Sequence, residues 1–114
     1  MHIEKHLGGA LAPFILAMDV PVVPLLHDVV DGYGLTEVHL LHVETEGHDL
    51  AVIETLDLSR LTPVVILVEH KRLSDPNSSR LHQLLRGHGY SVRDCGGDYF
   101  ALHRKGYADL RGAK

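Results

Sequence analysis

The chain has 114 residues, 45% hydrophobic and 23% charged, which excludes a disordered segment and fits one small soluble domain or part of a larger one. Formal net charge is −4 with histidines neutral, and Arg104, Lys105, Arg111 and Lys114 are too scattered for a nucleic-acid footprint. A single cysteine, Cys95, excludes an intrachain disulfide and fits a reducing cytoplasm. No secretory pattern stands at the N-terminus, and the longest apolar run, Val64 to Val68, is far too short to span a bilayer, so no membrane partner is expected.

Residues 1–19 define no clear element. Ala10 to Met18 is apolar and suits a short helix only with Pro13 in its first turn. Val20 to Pro24 favours extended backbone but holds two prolines, so an edge strand or connector is expected. Leu25, Leu26, Val29 and Val30 recur at helical spacing, which predicts a helix over Leu25 to Tyr33 stopped by Gly32 and Gly34. Val38 to Val43 reads as a strand, Glu44 to His48 as a polar break, and Asp49 to Leu56 as a short helix. Leu50, Ala51, Ile53 and Leu56 form its buried side, and Asp49 sits at its positive end.

Pro63 leads into Val64 to Val68, apolar at every position and ending at Glu69, the pattern of a central strand covered on both faces. Ser74 to Ser78 offers helix caps, and Leu81, Leu84 and Leu85 carry a helix that ends at Gly87 and Gly89. Tyr90 to Cys95 and Tyr99 to His103 then read as a hairpin turning at Gly96-Gly97-Asp98, with Cys95 a packed thiol and Asp94 and Asp98 structural. Residues 20–104 form one unit and residues 105–114 a solvated tail. Helices alternating with strands predict an α/β fold with a mainly parallel sheet and a C-terminal antiparallel hairpin, in which Val38–Val43 and Val64–Val68 are parallel neighbours.

In such sheets ligands bind beyond the carboxyl ends of the strands. Two of those ends are polar here: His42-Val43-Glu44-Thr45-Glu46-Gly47-His48 and Glu69-His70-Lys71-Arg72. Glu44, Glu46 and Glu69 are therefore expected on one rim, with His42 or His48 beside them. His42, Glu44, Glu46 and His48 alternate, so an extended backbone would place them on one face, a donor set that suits zinc. His39 and His42 fall on opposite faces of their strand, and His82, His88 and His103 are expected at the surface.

The same residues carry a family resemblance. Leu40-Leu41-His42-Val43-Glu44-Thr45-Glu46-Gly47-His48-Asp49 resembles the Leu-Leu-Lys-Ile-Asp-Val-Glu-Gly-His-Glu signature of FkbM-type methyltransferases. Pro63 to Glu69 is similar to that family's Pro-x-Val-Ile-Leu-Val-Glu strand. Leu84-Leu85 followed by Gly89-Tyr90 resembles its Leu-Leu…Gly-Tyr step, and the helix through Asp28, Val29 and Val30 matches the one before the signature. The likeness runs from about Val20 to His103. It implies the C-terminal half of a class I, Rossmann-like methyltransferase sheet, whose fourth strand is the signature, and the cofactor S-adenosylmethionine. The expected reaction is methyl transfer to a hydroxyl of a small molecule or sugar acceptor. On this resemblance Glu44, Glu46 and Glu69 are the catalytic candidates and His42 and His48 the substrate-binding ones. It also explains the His/Glu spacing without a metal, so no metal ligand is assigned.

Four departures stand out. His42 replaces the family's Lys, and Leu25-Leu26-His27 replaces its Thr-Leu-Asp. Glu44 replaces its Asp, moving a carboxylate by about an ångström, enough to disturb near-attack geometry. No glycine-rich turn follows a strand and opens a helix: Gly8-Gly9 lacks the strand, and Gly32/Gly34 and Gly87/Gly89 are helix stops. Cofactor-binding residues are thus unidentified, and the chain is expected to be a truncated or divergent form that binds S-adenosylmethionine weakly. Its half-sheet would expose a strand edge and promote self-association. Two other functions stay open: a non-catalytic remnant or partner module, and a His/Glu metal-binding protein.

Overall fold

The computed structural model describes residues 15–112. Four strands, β1 (Leu40–Val43), β2 (Val65–Glu69), β3 (Tyr90–Asp94) and β4 (Asp98–His103), form one sheet in the order β1-β2-β4-β3. β1 and β2 are parallel neighbours, with Leu41 opposite Ile66 and Val43 opposite Val68. β4 runs antiparallel to both β2 and β3, lying between them. The expectation of a mainly parallel sheet is corrected: only one of the three neighbouring pairs is parallel, because the hairpin folds back into the sheet and β4 takes the place beside β2. The hairpin itself forms as expected. Its turn relies on Gly96, whose φ of 91° suits glycine, and on Asp94, whose carboxylate accepts the Gly96 amide at 3.0 Å.

Strand alternation gives the sheet two unlike faces. The inner face carries Val43, Ile66, Val68, Tyr90, Tyr99 and Ala101, all buried. Helix α1 (Asp49–Glu54) and helix α2 (Asp75–Gly87) supply Leu50, Ile53, Leu81 and Leu85 to the same cluster. Each such aliphatic side chain contributes about 1.5–3 kcal/mol of burial. Ser74 caps α2, accepting the Asn77 amide on its side chain, and Pro76 occupies the first turn where its missing N–H costs nothing. The loop between α1 and β2 adds Leu56, Leu58 and Leu61, and the buried Tyr90 hydroxyl donates to the Pro63 carbonyl at 2.6 Å.

The outer face is different. Leu40, Val65, Leu67, Phe100 and Leu102 point to it, and no described helix covers it: Leu40 is 61% and Phe100 39% exposed, the other three half-buried. The expectation that the Val64–Val68 strand is covered on both faces therefore holds for one face only.

Other expectations need correction. The segment Leu25–Asp31 is a π-helical turn, with Gly32 and Leu35 amides bonded five residues back, in place of an α-helix reaching Tyr33. It buries Val30 alone. Val20 to Pro24 forms no strand, and of the apolar stretch Ala10 to Met18 only residues 15–18 are described, without regular structure. Arg104–Gly112 forms a helix, α3, that buries none of its residues, which leaves the expectation of a solvated tail over 105–114 neither supported nor corrected. Cys95 lies beyond the end of β3 and is exposed, so its packed environment is also corrected. His82 and His103 are half-buried and contact Tyr99 and Tyr90 edge-on, so they are not simple surface residues.

Candidate active site

The carboxyl ends of β1 and β2 form the rim. Val43 lies opposite Val68 in the last pair of the two strands, and Glu44 and Glu69 are the residues that follow them. Antiparallel pairing sets Asp98 of β4 opposite Glu69 on its other side. Glu69 and Asp98 are therefore side by side at one end of the outer face, and Glu44 follows the end of the neighbouring strand β1.

These carboxylates differ in surroundings. Glu44 is exposed and its Oε2 lies 4.0 Å from Nε2 of His42, which points to the same face two residues earlier. Glu69 is only 3% exposed. Its Oε2 is 3.8 Å from Nζ of Lys71, while Oε1 is buried without a hydrogen-bond partner. A buried carboxylate oxygen without a donor is costly, and a catalytic role or a bound molecule is among the reasons for which such a group is kept.

The turn after β1 is built by Asp49. Its carboxylate is fully buried and accepts two backbone amides, Thr45 at 2.9 Å and Gly47 at 3.1 Å. This clamp bends the chain so that Glu46 and Gly47 take φ of 53° and 116°. Positive φ is rare for a residue with a side chain and marks a conformation that its surroundings impose. A Cβ at Gly47 would lie 3.7 Å from the Arg72 carbonyl oxygen, so the turns after β1 and β2 touch.

The bend also breaks the alternation expected from the sequence. His42 and Glu44 share a face, but the strand stops at Val43, and the turn carries Glu46 and His48 away from that pattern. His48 stands just before α1 and lines an apolar groove with Val22 to Leu25 and α1. Among the described residues, no three His, Cys, Asp or Glu side chains gather as metal ligands would.

Behind the rim, His70 ties three elements together. Its Nε2 is 2.9 Å from Asp94 Oδ1 in β3, its Nδ1 is 3.4 Å from Ser78 Oγ in α2, and its ring stacks on Tyr99 of β4 at 4.0 Å. Ser78 Oγ also bonds Tyr99 Oη at 2.9 Å. The hydrogen bond from His70 is the main cause that holds the Asp94 carboxyl below its ordinary range.

The model of the methyltransferase FkbM domain matches residues 9–92. The chain belongs to the FkbM methyltransferase family. Searches of the curated proteins and of the solved structures return no match. The family match contains β1, its following turn and β2, and so most of the rim, but not β4 or Asp98.

Sequence reasoning named Asp49 only for the helix end and Asp98 only for the hairpin turn. The common local pattern, an Asp accepting the amide two residues further on, does not mark the Asp49 clamp, because Asp49 accepts amides two and four residues back. Asp98 had no local signal either, because its neighbour Glu69 is fixed by sheet order. A second groove, lined by Glu37, His39, Arg60, His103 and Lys105, lies at the amino ends of β1 and β2, away from the rim. Among the described residues no helix is long and apolar enough to cross a membrane.

Proposed function

We propose that this chain carries the acceptor side of an S-adenosylmethionine-dependent O-methyltransferase site, acting on a hydroxyl of a sugar or other small molecule. The observation that carries it is the buried, unpartnered Glu69 Oε1 on the rim beside Glu44, within the FkbM match. Methyl transfer to a hydroxyl needs in-line positioning and removal of one proton. Glu69 Oε1 accepts that hydroxyl proton, and its burial strengthens the hydrogen bond that orients the acceptor. Glu44, with His42 beside it, holds a second hydroxyl of the same acceptor. Glu46 shapes the turn, and His48 serves the acceptor only through the groove it lines with α1.

The described residues do not fit the nucleoside of the cofactor. No glycine-rich turn follows a strand, and the free amides of the turn after β1 are already taken by the Asp49 carboxylate. The class I, Rossmann-like sheet is accordingly proposed only for its C-terminal half, with a truncated or divergent cofactor side. The alternative reading is a non-catalytic module of the same family.

Two measurements separate these readings. Calorimetric titration with S-adenosylmethionine should give binding weaker than about 100 μM, since a pocket missing most of its walls leaves the ligand in water. A low-micromolar dissociation constant would refute the missing cradle. Transfer of a labelled methyl group at millimolar cofactor to hydroxylated sugars should fall about a hundredfold or more in Glu69→Gln, the usual loss for a general base. Equal transfer by Glu69→Gln refutes its role, and no transfer to any acceptor favours the non-catalytic module.

A further inference from the structure

The outer face of the sheet is polar at both ends and apolar between them. At the carboxyl end of β2 stand Glu44, Glu69 and Asp98, and at the opposite end the Arg104 guanidinium reaches onto the same face, its Nε donating to Ser91 Oγ at 3.1 Å. The middle is Leu40, Val65, Leu67, Phe100 and Leu102, half-buried or exposed with no described element over them. A contiguous apolar area of this kind, bounded by charge, is the mark of an interaction site.

We infer that this face binds a second copy of the chain, sheet against sheet, with the strands of the two copies antiparallel. The charge pattern selects that occupant and that orientation. A two-fold axis lying across the strands leaves each strand over its own equivalent and reverses its ends. Leu67 then meets Val65 of the second copy, and Phe100 meets its Leu102. The Arg104 guanidinium of the second copy comes over Asp98, and within a side chain's reach of Glu69. An axis along the strands would instead stack carboxylates on carboxylates, a like-charge contact that disfavours that arrangement. Two-fold contacts of one patch with itself are the commonest closed assembly, and aligned sheets pack about 10 Å apart. The second copy supplies a cation to the end of the face where each chain gathers carboxylates. The inference stands apart from methyl transfer and survives failure of that proposal.

Sedimentation equilibrium on the 114-residue chain tests it. A dimer is expected in the micromolar range. Phe100→Glu, at an already exposed position, should weaken it about a hundredfold by placing a charge in each half of the apolar centre. Arg104→Glu should weaken it about tenfold, increasingly so at low salt, and Arg104→Glu with Asp98→Lys should restore it. Far-UV circular dichroism checks that each variant keeps its fold. A monomeric wild type at 100 μM overturns the inference, as does any oligomer other than a dimer. A dimer indifferent to Phe100→Glu overturns it by placing the contact elsewhere, such as the free edge of β1. Loss with Phe100→Glu but not with Arg104→Glu overturns the antiparallel arrangement.

Discussion

Replacing Asp49 by alanine tests whether one side chain holds the turn that shapes the rim. Asp49 is fully buried and accepts the amides of Thr45 and Gly47 at 2.9 and 3.1 Å. Hydrogen bonds to a charged acceptor contribute about 1.5–3 kcal/mol each, so removing both would cost roughly 3–6 kcal/mol if the amides stayed dry. Thr45 is exposed and Gly47 half-buried, so water recovers part of this. The expected loss is about 2–4 kcal/mol, a large share of the roughly 5–15 kcal/mol that a domain possesses. Asp49→Asn keeps the shape and one acceptor but turns an NH2 toward the other amide, so it should lose about half as much. Urea unfolding followed by circular dichroism gives both numbers, with the m-value checking that the unfolded state is unchanged. Amide exchange adds a local readout: Thr45 and Gly47 should lose protection in both variants while the β2 amides keep theirs. A loss below about 1 kcal/mol in Asp49→Ala, or unaltered exchange at Thr45 and Gly47, would refute the clamp.

Tyr90→Phe removes a buried hydroxyl and strands the Pro63 carbonyl, so a cost of about 1–3 kcal/mol is expected in the same assay, and a neutral result would mean that water replaces the bond. Burial also pushes the Tyr90 phenol well above its ordinary range, so its ultraviolet absorbance should not titrate with the other tyrosines on raising the pH. The Asp94 carboxyl is depressed by its hydrogen bond from His70, so its share of stability is present above the ordinary carboxylate pKa of 3.8 and disappears as pH falls through the lower folded value. Asp94→Asn should flatten the stability profile in that acidic window, and an unchanged profile would show that the His70 contact is not maintained in solution.

How far the sequence foretold the fold depends on the range of the interactions. Val64 to Val68 announced a strand because five apolar residues in a row leave few alternatives, and the hairpin announced itself because Gly96-Gly97 sits between two β-favouring runs. Both signals are local. The place of β4 beside β2 was not legible, since Phe100 and Leu67 are 33 residues apart and nothing near either names the other. The half-covered sheet was hidden for the same reason: Leu67 looks like core by composition, and only the position of the helices shows which face they leave open. At the rim, Glu44 and Glu69 were readable from strand ends, whereas the turn at Glu46 broke the alternation that had grouped His48 with them.

The insertion of β4 between β2 and β3 has a consequence for synthesis. Residues Asp98–His103 come last in sequence among the four described strands, yet they pair with β2 on one side and with β3 on the other. A nascent chain halted near residue 92 would hold the whole family match but keep β2 with one hydrogen-bonded neighbour and no seat for β3. Closure must await emergence of the final strand from the ribosome, and until then the Val65–Glu69 edge is exposed to other chains. Fusions or tags attached close to His103 therefore burden the step that completes the described sheet.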